Sequence, residues 1–138
     1  MPDAAETDAE LAVRLATEAG RHLVEIRAAM FADGASYWDV MDTGDMVSHR
    51  FIGMELERHR PDDAVLDEEG REDPRRFGGG RVWIIDPLDG TREYGERGRS
   101  DWAVHIPSRR FSPFRSSVSF INSGLVAIKL LGESALIA

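Results

Sequence analysis

The sequence predicts an α+β fold in which two helices cover one face of a mixed sheet. Three observations carry this expectation. Two stretches before Pro61 repeat apolar residues every three or four positions, which is the helical period. Short apolar runs follow at residues 64–66, 81–85 and 102–106, each bounded by turn formers or charge. The order helix, helix, strand, strand, strand then layers helices against a sheet.

Taken in order, Thr7-Asp8-Ala9-Glu10 is a capping-box pattern, and Leu11, Leu15, Ala19, Leu23, Ile26 and Met30 continue it as one apolar stripe. This first helix is expected to end near Phe31 with Gly34 just past it, and Gly20 is its weak point. Residues 33–44 read as turn-rich and irregular. A second helix is expected to begin with Asp45 as its cap, to carry Val47, Phe51, Ile52 and Leu56 inward, and to stop before Pro61. Pro61-Asp62-Asp63 makes a turn into the strand at 64–66. Residues 70–80 form a polar loop ending in Gly78-Gly79-Gly80, which no Lys-Ser or Lys-Thr follows, so it is not a phosphate loop.

The chain has 138 residues, enough for one domain with a core and too few for two. Its net charge of −8 argues against binding a nucleic-acid polymer or an anionic membrane. An anionic small substrate remains compatible if a metal inverts the local field. There is no cysteine, which removes disulfides, thiolate zinc sites and thiol nucleophiles together. The acidic start lacks the pattern of a signal peptide and no apolar run reaches membrane-spanning length, so a cytoplasmic setting is expected.

The most informative segment is Trp83-Ile84-Ile85-Asp86-Pro87-Leu88-Asp89-Gly90-Thr91. An apolar strand runs into two carboxylates three residues apart, then a glycine, then a hydroxyl. Upstream, Glu68-Glu69 ends the run Ala64-Val65-Leu66-Asp67. If the two strands are neighbours, their carboxylates meet at one edge of the sheet. Like charges that close repel, and a hard divalent cation with oxygen ligands, Mg²⁺ above all, resolves the conflict. Pro87 is expected to end the strand, with a tight turn over Pro87-Leu88 drawing Asp86 and Asp89 together. The Leu88 carbonyl then becomes a further oxygen donor. Gly90 permits a backbone conformation denied to other residues, and Thr91 with the amides around it could cradle an anion at the start of the next helix. The plainer reading is a polar turn in which Asp-Pro and Asp-Gly are turn formers only. His22, His49, His59 and His105 sit at unrelated spacings and form no zinc motif; the first three are expected on exposed helix faces and His105 as a hydrogen-bonded strand residue. Arg92, Arg97 and Arg99 read as a solvated basic loop or as a greeting for an anionic substrate.

The string from Trp83 to Thr91 resembles the metal-binding signature of the inositol monophosphatase superfamily of Mg²⁺-dependent phosphatases, which also contains fructose bisphosphatases and 3′(2′),5′-bisphosphate nucleotidases. Gly44-Asp45, Asp63 through Glu69, Thr91-Arg92-Glu93-Tyr94 and Ser100 through Ile106 most resemble its CysQ-type nucleotidase branch. The resemblance implies the N-terminal half of the inositol monophosphatase (sugar phosphatase) fold, incomplete. It implies Glu68, Asp86, the Leu88 carbonyl and Asp89 as holders of Mg²⁺, and Asp45, Thr91 and Glu68 as catalytic. Gly90 and Thr91 would bind the substrate phosphate. The implied activity is hydrolysis of 3′-phosphoadenosine 5′-phosphate, a by-product of sulfate assimilation, by metal-activated water. Inositol monophosphate or fructose 1,6-bisphosphate are the alternative substrates, and a catalytically inactive metal-binding fragment is the alternative function. A homodimer is an open expectation.

The resemblance stops near Ile106, dividing the chain into residues 1–106 and a divergent tail, 107–138. The tail is rich in Ser and Arg up to residue 117, lacks helical or strand periodicity there, and contains no aspartate. Its apolar runs at 118–121 and 125–131 read as strands or a short helix. The resemblance implies members about twice this length, with a further aspartate ligand in the second half. A truncated or frame-disrupted product, impaired in activity, is therefore expected.

Overall fold

The computed structural model describes residues 5–67, 82–109, 116–121, 125–130 and 133–137. Helix α1 spans Asp8–Ala32 and α2 spans Tyr37–His59. Strand β1 is Ala64–Asp67, β2 is Val82–Asp89, and the short helix α3 is Thr91–Gly95. Among the described residues, strands β3 (Ala103–Arg109), β4 (Ser116–Ile121), β5 (Leu125–Leu130) and β6 (Glu133–Ile137) complete a six-stranded sheet in chain order. β1 and β2 are parallel and every later pair is antiparallel, so the sheet is mixed as expected.

Helix α1 starts where the capping box places it: Thr7 Oγ1 accepts from the Glu10 amide, and the Glu10 carboxylate accepts from the Thr7 amide. It passes through the buried Gly20 unbroken and ends in a turn at Gly34, whose φ is +76°. Leu11, Leu15, Ala19 and Leu23 are fully buried and form one wall of the core. α1 lies against α2 and over β3 and β4, while α2 lies against β2 and α3. Trp83, Ile85, Val104 and Ile106 fill the space between helices and sheet with no exposed surface. Among the described residues no helix is long and apolar enough to cross a membrane.

Three expectations are corrected. The second helix begins nine residues earlier, capped by Ser36 in place of Asp45, and the Ser36 hydroxyl accepts from the Asp39 amide. Val40, Gly44, Ser48, Ile52 and Leu56 are buried at an unbroken four-residue spacing, and this stripe decides the helix despite the weak helix formers before Asp45. Asp45 is thus an interior helical residue and not a cap. Second, β2 does not end at Pro87 but continues to Asp89. Third, β3 extends through Ser108 and Arg109 because β2 and β4 pair with it there. Of the two alternatives open for the apolar runs of the tail, strand is the one found in both. The triple glycine at 78–80 lies outside the described residues.

Candidate metal centre

The site is built on an irregularity in β2. Opposite β3 the register steps from Asp86↔His105 to Asp89↔Ala103, so three residues on one strand span two on the other. This is a β-bulge, which admits an extra residue and turns the strand. Burial along β2 records the slip. Trp83, Ile85 and Pro87 are buried in strict alternation, then Leu88 is buried as well, and Asp89 is exposed. In a regular strand residues three apart face opposite ways. The bulge resets the parity, so Asp86 and Asp89 both fall outside the run of buried β2 residues that faces the core. The expected tight turn is replaced by this device, which achieves the same convergence with the strand intact. One oxygen of Asp86, Oδ1, is out of contact with solvent.

His105 stands directly across from Asp86 on β3, with Val104 and Ile106 buried on either side of it. Its Nε2 is 3.0 Å from Asp89 Oδ2. One donor atom each from Asp86, Asp89 and His105 lies within 4.8 Å of the others. Donors sharing an octahedral ion with bonds of about 2.1 Å sit roughly 3.0 Å apart when adjacent and 4.2 Å apart when opposite. The 3.0 Å between His105 and Asp89 matches adjacent positions, and two of the three donors are carboxylates, the type a hard divalent cation takes.

The segment after the bulge is fixed from behind. Gly90 has φ +80° and caps α3, and a Cβ there would stand 2.8 Å from the Asp101 carbonyl, so the left-handed turn and the close approach both require glycine. Thr91 is the first residue of α3. Tyr94 in that helix is fully buried, donates from its hydroxyl to the Leu23 carbonyl at 2.7 Å, and meets Trp102 edge to face at 5.0 Å. Burial pushes its phenol up to about 12, against the weaker opposing pull of Arg27. Arg27 donates from Nε to the Tyr94 carbonyl at 2.6 Å and from its terminal nitrogen to the carbonyls of Glu93 and Glu96. On the other side, α2 comes so close that a Cβ on Gly44 would lie 2.4 Å from the Tyr94 ring. One turn later Ser48, fully buried, donates to the Pro87 carbonyl at 2.7 Å.

Of the residues expected in the site, Asp86, Leu88, Asp89, Gly90 and Thr91 therefore follow one another through the bulge and into α3. Asp45 is half-buried between the two anchors, Gly44 on Tyr94 and Ser48 on Pro87. Glu68 and Glu69 lie outside the described residues. The described part of β1 ends at Asp67, level with Ile85 and one residue short of Asp86. The neighbouring of the two acid-tipped strands is thus as expected. His105 is the residue whose placement the spacing of the histidines did not reveal, because only the register of β2 on β3 sets it opposite Asp86. The other histidines are half-buried and not exposed: His22 packs edge-on against Phe51 at 4.7 Å, and His59 lies 3.2 Å from Glu55. The basic residues after α3 are exposed and engaged with their neighbours. Arg99 pairs with Asp101 at 2.8 Å, which holds that carboxyl below its usual range, and Arg97 covers the Phe31 ring.

Comparison with known proteins agrees with this architecture. A 3′-phosphoadenosine 5′-phosphate phosphatase of Mycobacterium leprae is 51% identical over 100 residues, covering 72% of this chain and 36% of that protein. Mycobacterium tuberculosis SuhB superposes with a TM-score of 0.70 at 25% identity, over 92% of this chain and 46% of its own. Inositol monophosphatase-II from Staphylococcus aureus has the same fold, with a TM-score of 0.76 at 21% identity over 93% of this chain and 48% of its own. The chain thus spans about a third of the curated relative's length and about half of each solved structure. The sequence profile of the inositol monophosphatase family matches residues 4–107, and the chain belongs to that family.

Proposed function

We propose that this chain carries the metal-binding half of a Mg²⁺-dependent phosphomonoesterase acting on 3′-phosphoadenosine 5′-phosphate. The observation that supports it most is the bulge in β2, which sets Asp86 and Asp89 on one side of the sheet beside a helix start. The identity to a 3′-phosphoadenosine 5′-phosphate phosphatase over this same stretch favours that substrate over inositol monophosphate or fructose 1,6-bisphosphate.

In this reading Asp86, Asp89 and the Leu88 carbonyl hold the ion, with Glu68 as a further ligand. Bound there, a divalent cation supplies charge for the phosphoryl oxygens and acidifies water. The protein's own groups do the rest. Thr91 orients the attacking water through its hydroxyl, and Asp45 takes up the proton. That pairing is supported by the way α2 packs onto the junction of β2 and α3, with Gly44 and Ser48 fixing the helix on both sides of Asp45. The amides after Gly90 meet the phosphate.

Phosphate release from the three compounds, with and without Mg²⁺, tests the proposal. Metal-dependent release from 3′-phosphoadenosine 5′-phosphate, abolished by Asp86→Asn, is the expected result. Failure on all three compounds while the ion binds would make the chain an inactive metal-binding fragment instead.

A further inference from the structure

His105 has no part in the family roles given above, and its placement points to one that rests on the metal-dependent reading. Asp89 is the open member of the centre, its side chain 60% exposed at the end of β2. A carboxylate so exposed loses rotamer freedom on binding an ion, and that ordering weakens the bond. His105 differs in its support. Its strand is paired on both sides, with Asp86 opposite it on β2 and Ser119 opposite it on β4. Val104 and Ile106 anchor that strand in the core. The imidazole is therefore carried by a strand held on both sides, while Asp89 stands more exposed at the end of β2, and the two meet at 3.0 Å.

We propose that His105 is a positioning residue that donates from Nε2 to Asp89 Oδ2, holding that carboxylate beside Asp86 so that a divalent cation meets a preformed pair. An ionised carboxylate only accepts, so the proton of this bond sits on the imidazole. The alternative, direct ligation by nitrogen, fits the same 3.0 Å separation. Mg²⁺ prefers oxygen donors, however, and partners that orient a ligating carboxylate are a general feature of such sites.

The test uses the full chain with Mn²⁺ alone as probe, by calorimetry, and compares wild type with Asp86→Asn, His105→Ala and His105→Gln. Thermal melts confirm that each variant is folded. Loss of the donor in His105→Ala is expected to weaken Mn²⁺ binding about 10- to 100-fold. His105→Gln, whose side-chain amide nitrogen can reach the same place, is expected to restore most of it. Unchanged affinity in His105→Ala, with binding lost in Asp86→Asn, overturns the role of His105 and leaves the phosphatase reading standing. Equal weakening in both His105 variants, with nitrogen coupling in the pulsed EPR spectrum of the wild-type Mn²⁺ complex, makes His105 a ligand and also overturns it. A folded wild type that takes up no Mn²⁺ removes the metal reading and this inference together. If His105→Ala does not fold, an affinity for His105→Gln far below wild type counts against the proposal and near-equality counts for it.

Discussion

The hydroxyl of Ser48, buried in the middle of α2, donates to the carbonyl of Pro87 at 2.7 Å inside the bulge of β2. The bulge takes Pro87 out of step with β3, and α2 supplies the hydrogen bond that keeps the irregular backbone in place. Ser48→Ala removes that hydrogen bond from a buried carbonyl. It is expected to destabilise the chain by about 1–3 kcal/mol in urea unfolding, and to weaken divalent-ion binding because Asp86 and Asp89 flank the loosened peptide. Unchanged ion affinity in Ser48→Ala would show that the bulge holds its shape without α2.

Gly44 and Gly53 lie in the same helix and should respond in opposite directions to alanine. A Cβ on Gly44 would press to 2.4 Å on a Tyr94 ring that is fully buried and tethered through its hydroxyl. A Cβ on Gly53 meets nothing within 4 Å. Gly53→Ala is expected to stabilise by about 0.5–1 kcal/mol through helix propensity. Gly44→Ala is expected to destabilise by about 1–3 kcal/mol through overpacking. Thermal melts of the pair measure both, and any stabilisation in Gly44→Ala would contradict the close approach of α2 to α3.

Tyr94 makes stability depend on alkaline pH. Its phenol is raised from 10.0 to about 12 in the folded chain, chiefly by burial. The unfolded chain therefore ionises first, so the contribution is fully present below pH 10 and is lost as pH rises from 10 to about 12. At pH 11 the loss amounts to about 1.4 kcal/mol relative to pH 8. Tyr94→Phe starts lower by about 1 kcal/mol, having lost the bond to Leu23, but lacks this slope. Urea midpoints for both proteins between pH 8 and 11 should converge; parallel curves would show that Tyr94 ionises as freely as in the unfolded chain.

Much of this architecture was legible in the residues, and the exceptions share a cause. The capping box at Thr7 and the stripe from Leu11 to Leu23 are local signals, and α1 follows them. Gly90 announced its left-handed turn because the need for positive φ is a property of one residue. The start of α2 was hidden because Tyr37, Trp38 and Gly44 are poor helix formers, and tertiary burial of Val40 and Gly44 overrides them. Sequence alone does not separate the bulge from a turn, because Pro87 is compatible with either and only pairing with β3 selects between them. His105 belongs to the same class: its neighbourhood is created by register, which no spacing along one strand reports.

The convergence of Asp86 and Asp89 on one cation is tested most directly by diffraction from crystals soaked in Mn²⁺, using the anomalous signal to locate the ion. A peak at bonding distance, about 2.0–2.6 Å, from carboxylate oxygens of both residues is the expected result. A protein saturated with Mn²⁺ that shows its peak elsewhere, or bonded to neither aspartate, would contradict the account.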